Sequence, residues 1–282
     1  MSEKLIDHYE EEKNYEEVIR LIDEMILNDP EKASSLLFRK AEALVALEKC
    51  DQAITTLKVY VKDCSEKEKI KSYILIASCY MNIDNDKKAE EYLVKILDID
   101  PENDIILKQL SYMAYINQNF ERCCYLVKIL IKIDKADIED YINMIFCCIQ
   151  LDRIDESLKY AEKVIELDPT NLDVFATLTI VYENMEDEKK LNEVCKRIIN
   201  LKDDGTLQII LLKAQAYLEL GKKEEAFEFI NKAIKLYPYD PFPYLVKGIL
   251  YNKLDMFEQA DECFNEAFML NPEIFDNIEK LN

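Results

Sequence analysis

Between Asp240 and Pro272 apolar and polar positions run to a helical beat twice over. Tyr244, Gly248 and Tyr251 fall four and three residues apart, which puts them on one face of a helix. Asp240 is placed to cap that helix, and Pro241 at its first position has no N–H to lose. After a break at Asp255-Met256, Ala260, Phe264, Ala267 and Leu270 mark one face of a second helix that Pro272 ends. The stretch predicts two helices joined by a short turn, with Gly248 small enough for another helix to come close.

The same order returns along the chain. Pro30, Pro101, Pro169, Pro238 and Pro272 hold one phase of a 34-residue period, with a few extra residues at the junctions. Eight copies can be followed. The first is short at its start, with Leu5 and Tyr9, then Ile22, Met25 and Pro30. The second carries Ala41, Ala53 and Leu57, and its link onward, Ser65 to Lys69, holds two of the extra residues. The third is sharp, with Tyr73, Ala77, Tyr80, Ala89 and Pro101. The fourth places Cys123 where alanine is usual and Lys135 at the proline site. Tyr141, Met144, Ala161 and Pro169 mark the fifth. In the sixth, Leu191 replaces the small residue and Asp203 the proline. The seventh returns to pattern with Ala214, Tyr217, Ala226, Ala233 and Pro238.

This aromatic, small, aromatic, small, aromatic, small, proline order at a 34-residue period resembles the tetratricopeptide repeat. The family often places a Trp that this chain lacks, and Lys40, Lys213 and Lys247 stand where Leu is common. The resemblance implies an all-α fold, a right-handed α-solenoid of antiparallel helix pairs forming one array over residues 1–282. Its copies are expected at about 1–33, 34–69, 70–103, 104–137, 138–171, 172–206, 207–240 and 241–272. Residues 273–282 are expected to form a short closing helix. One copy alone cannot hide its apolar stripe; stacked on a neighbour it can, and each buried Leu, Ile or Tyr then contributes roughly 1.5–3 kcal/mol.

Composition agrees with short connections between helices, since the chain has only three glycines and seven prolines. No run of about 18 apolar residues suggests a membrane span, and Met1-Ser2-Glu3-Lys4 lacks a secretory pattern. Nine cysteines without a regular framework fit a reducing cytosol, so the expected location is cytoplasmic. A formal charge of −21 opposes phosphate backbones and anionic lipids, which excludes nucleic acid and membrane as expected partners and favours a basic protein face. The same acidity also serves simply to keep a long surface soluble.

Little in the sequence suggests chemistry. His8 is the only histidine and stands among Asp7, Glu10 and Glu11. The doublets Cys123-Cys124 and Cys147-Cys148 lack the spacing of a zinc site and read as small buried hydrophobes. Gly205, Gly221 and Gly248 are too scattered for a phosphate loop. No catalytic residue, metal or cofactor is expected.

The resemblance also implies where a ligand would lie, on the first helix of each copy facing away from the second. That phase gives Phe38, then Ile74 and Met81, then Lys108, Tyr112 and Tyr115. It continues with Ile142, Asn143, Phe146 and Ile149, then Ile180, then Leu211, Gln215 and Leu218, and last Leu245 and Ile249. Glu42, Ala176, Glu183 and Asn252 share the face. Most of these residues are apolar, so the expected occupant is an amphipathic helix or apolar peptide anchored by Tyr112, Tyr115, Phe146 and Leu211. The alternative is that tight winding buries the face internally. The family's grip on a C-terminal carboxylate needs cations over three copies. Here Lys108 and Asn143 are followed by Asp173 and Thr177, so that clamp is not expected. Docking of a partner is the leading reading, and self-assembly into a homo-oligomer is the second.

Overall fold

The computed structural model describes residues 3–30 and 33–273. Among the described residues there are sixteen α-helices and no strand. They are α1 (Glu3–Glu11), α2 (Tyr15–Asn28), α3 (Ala33–Ala46), α4 (Cys50–Tyr60), α5 (Glu66–Asn82), α6 (Asp86–Ile99), α7 (Asp104–Ile116) and α8 (Phe120–Lys132). The second half holds α9 (Ile138–Gln150), α10 (Ile154–Leu167), α11 (Leu172–Asn184), α12 (Glu188–Asn200), α13 (Leu207–Glu219), α14 (Lys223–Leu236), α15 (Pro241–Asn252) and α16 (Phe257–Leu270). Each expected copy thus supplies two helices. The closing segment lies outside the described residues from 274 onward.

Two compact units are present, residues 1–136 and 137–282, with four helix pairs in each. The division falls at the junction of the fourth and fifth copies of what the sequence suggests is one array. Within each unit the helices pack on their neighbours in order, as expected of stacked repeats.

The small-residue phase explains the packing within a pair. Ala41, Ala77 and Ser111 in the first unit, and Ile145, Thr179, Ala214 and Gly248 in the second, are all buried. Their partners on the second helices, Ala53, Ala89, Cys123, Ser157, Ala226 and Ala260, are buried as well. Cys123 takes the place of alanine at no cost in exposure. Leu191 does not fit that slot and stays half-buried at the edge of its cluster.

The turn between the two helices of a copy is built the same way eight times. Lys13, Glu48, Asp84, Gln118, Asp152, Glu186, Gly221 and Asp255 all take a left-handed φ of 54 to 74°. The next N–H reaches back to a carbonyl five residues earlier, as from Asn85 to Tyr80 (2.8 Å) and from Arg153 to Cys148 (2.8 Å). This is the helix-ending motif that satisfies the last free carbonyls. Asn14, Asn85, Asn119 and Asp187 then cap the second helices with side-chain oxygens.

Helix starts follow the sequence with one correction. Asp240 Oδ1 accepts from Phe242 N (2.9 Å), and Pro241 opens α15. Residues 65–69, read above as a link, are instead the start of α5. Ser65 and Glu68 form a reciprocal capping box, which converts the extra residues into one more helical turn. In the first unit Arg39 on α3 forks onto Asp7 (2.6 Å) and Glu10 (2.7 Å) of α1, tying the short first copy to the second.

Candidate binding face

Three first helices of the second unit, α11, α13 and α15, stand side by side and line an open pocket of about 100 Å³. It is lined by Ala176, Thr179, Ile180 and Glu183 from α11, and by Gln215, Leu218 and Glu219 from α13. Ile249 and Leu250 of α15 and the adjoining Lys253 complete it. Six residues expected on the ligand face, Ala176, Ile180, Glu183, Gln215, Leu218 and Ile249, therefore meet in one place. Ile180 is 59 % exposed, although it is a large aliphatic side chain on a packed helix.

An ion cluster closes one side. Lys253 Nζ donates to Glu183 Oε1 (2.6 Å) and Glu219 Oε1 (2.7 Å), joining three successive copies. Burial works against the Lys253 charge, but the two carboxylates outweigh it and raise the ammonium pKa. Beneath, burial first, then the Glu219 and Glu183 charges, push the Cys195 thiol up to about 12. Glu219 and Lys253 are not anticipated by the sequence phase. The signal was present, because Glu183, Glu219 and Lys253 recur 36 and 34 residues apart with opposite charge at one turn of successive helices.

The remaining expected positions are distributed as follows. In the first unit Tyr112 (54 %) and Ile74 (42 %) are exposed. Phe38, Met81, Lys108 and Tyr115 are half-buried. The Phe38 ring leans on Tyr60 with centroids 5.7 Å apart, and Gln109 Nε2 donates to Met81 Sδ at 3.5 Å. In the second unit Ile142, Asn143, Phe146, Ile149 and Leu211 are half-buried, with Ile142, Ile149 and Leu211 resting on core clusters. Leu245 does not belong to an open face. It is 6 % exposed and packs with Ala267 of α16, because the glycine at 248 lets that helix come close. Asp173, which stands against a carboxylate clamp, accepts instead from Gln208 Nε2 (2.7 Å).

Among the described residues no group of three or more His, Cys, Asp or Glu is placed to hold a metal ion. No helix among them is long and apolar enough to cross a membrane. Burial pushes the Cys79 thiol up to about 12, with Cys50 beside it adding to the effect. The buried thiols described in this way stay protonated at neutral pH, which makes them poor nucleophiles.

Residues 70–103, 146–171, 207–240 and 243–274 match the family model described as Tetratricopeptide repeat. These stretches lie in the third, fifth, seventh and eighth copies, where the small-residue and proline pattern is best kept. Over 228 residues the chain is 22 % identical to mouse Tetratricopeptide repeat protein 16, covering 74 % of this chain and 30 % of that protein. It is 24 % identical over 125 residues to human Protein O-mannosyl-transferase TMTC1, covering 43 % of this chain and 14 % of that one. The chain thus spans less than a third of the length of these relatives. Among solved structures, a tetratricopeptide repeat protein from Parabacteroides merdae superposes with a TM-score of 0.58 at 15 % identity, covering 89 % of this chain and 98 % of the other.

Proposed function

This chain belongs to the tetratricopeptide repeat family, and from that premise we propose that it is a non-catalytic scaffold docking a peptide or amphipathic helix of a partner protein. The docking surface is the inner face of its first helices. The observation that carries this reading is the α11–α13–α15 pocket, where the exposed Ile180 and the half-buried Leu218 and Ile249 from three helices converge. The first unit, taken by itself, also exposes Tyr112 and Ile74 from its first helices. The protonated state of the buried thiols supports a non-catalytic role. Seven of nine cysteines buried fits a reducing, cytoplasmic setting.

The test is selection from a random twelve-residue peptide library on the full chain, followed by binding of the selected peptides to Ile180→Glu and Leu218→Glu. Ile180→Glu keeps the parent melting temperature, and Leu218→Glu lowers it because Leu218 also rests on a core cluster. With both variants still folded, the selected peptides lose about tenfold or more in affinity, the cost of a charge in an apolar contact. Binding indifferent to both substitutions, or a library that yields no binder, rejects the reading.

Self-assembly is the second reading, favoured by the exposure of Phe257 and Met269 on α16. Light scattering over a dilution series decides it. A monomer throughout the micromolar range removes it, whereas a mass that rises with concentration supports it.

A further inference from the structure

The chemistry of the second unit's pocket is specific enough to name what enters it; this step rests on the docking reading above. Ile180, Leu218 and Ile249 supply three aliphatic walls from three different helices. Ala176 is small enough to leave the space between them open. At about 100 Å³ the space is smaller than the roughly 150 Å³ apolar cavity that admits a benzene ring. A branched aliphatic side chain can be covered within this space, whereas a phenyl or indole ring would stand partly out of its mouth.

The rim has a sign. Two carboxylates, Glu183 and Glu219, share the single ammonium of Lys253, which leaves one negative charge in excess at the mouth. The surroundings reinforce it: residues 137–282 hold 30 Asp and Glu against 16 Lys and Arg, a difference of −14 within the chain's −21. The Glu183 side chain is 44 % exposed and faces solvent beyond its bond to Lys253, so it remains open to a second cation. A cation brought beside an aliphatic anchor would meet Glu183 while the anchor is covered by Ile180 and Leu218.

From this juxtaposition we infer that the α11–α13–α15 pocket selects a peptide carrying one Leu, Ile or Val flanked within a turn by Lys or Arg. Size sets the first requirement and charge the second. An aromatic anchor is too large, and an acidic neighbour is repelled by Glu183 and by the unit as a whole.

The test uses fluorescein-labelled peptides of one design, an Ala-rich helix with a central anchor and two flanking charges, titrated into the full chain. The anchor is Leu, Phe or Ala, and the flanking charges are Lys or Glu. The Leu peptide with Lys neighbours binds about tenfold or more tightly than the Ala and Phe versions, the scale of discrimination expected of a hydrophobic pocket. Glu neighbours weaken it further, and added salt weakens the Lys peptide but not the anchor preference. Glu183→Gln, which keeps size and removes charge, erases the Lys-over-Glu preference while leaving Leu over Ala intact. A Phe anchor equal to or better than Leu, an unchanged charge preference in Glu183→Gln, or no binding by any member overturns the inference. Failure here, with library peptides still sensitive to Ile180→Glu, leaves the docking reading standing with a different occupant. Failure of both removes the site.

Discussion

Glu48 and Asp152 hold left-handed backbone conformations that cost a side-chain-bearing residue roughly 1–2 kcal/mol, and six further copies repeat the arrangement. Only the seventh copy uses glycine, at Gly221. The strain is tolerated because each turn closes two back-reaching hydrogen bonds, such as Glu48 N to Val45 O and Lys49 N to Leu44 O, both 2.9 Å. Glu48→Gly is therefore expected to stabilise the fold by about 0.5–1 kcal/mol, the penalty removed less the extra entropy glycine loses. Gly221→Ala should do the reverse, and chemical denaturation measures both. These turns could not be read from sequence because Lys, Glu, Asp and Gln give no sign of a left-handed backbone. Only their recurrence at the copy period marks them.

Asp203, at the site where most copies carry proline, is anchored differently. Its carboxylate pairs with Lys232 and accepts from Gly205 N (2.9 Å). The Lys232 contact, first of all, holds its pKa below the usual range. A group depressed on folding stabilises the protein above its unfolded pKa of about 3.9, and that stabilisation is lost as pH falls through the folded value. Asp203→Asn should lower the melting temperature at neutral pH, with the difference from the parent shrinking as pH drops below about 4. A pH-independent difference would show that the carboxylate charge is irrelevant there.

At the scale of the element, the sequence reveals pairs, periods and small-residue slots because burial depends on those directly. The slot at 248 is the tightest. A Cβ there would come 2.5 Å from Cε1 of the Phe264 ring. Gly248→Ala is expected to destabilise by about 1–3 kcal/mol through overpacking, and Phe264→Leu on that background should recover part of the loss. An unchanged melt in the single variant would mean that the ring moves aside freely. The same close approach buries Leu245, which is why extending the ligand face by pure periodicity fails at that position, although Ile249 a turn later lines the pocket. The lengthened α5 had a readable sign in Ser65-x-x-Glu68, but the polar run around it resembles a linker, and the capping box decides the matter only once both bonds close.

At the scale of the whole molecule, each unit is a stack in which every helix pair has neighbours of its own kind. The repeated face that is left over is the one proposed to dock a partner. Sequence period places Ile180, Gln215, Leu218 and Ile249 on that face. It does not show that they converge, nor that Lys253 gathers Glu183 and Glu219 beside them. Convergence depends on how three first helices stand against one another, and no single copy encodes that. The ion cluster itself is half-exposed, so Lys253→Ala should cost only about 0–1 kcal/mol of stability while altering the pocket mouth. The most direct test of the account is methyl NMR of the isoleucine-labelled full chain, titrated with a library-selected peptide. Ile180 and Ile249 are expected to shift while the fully buried Ile210 and Ile230 stay in place. Shifts confined to other faces, with Ile180 and Ile249 unmoved, would contradict it.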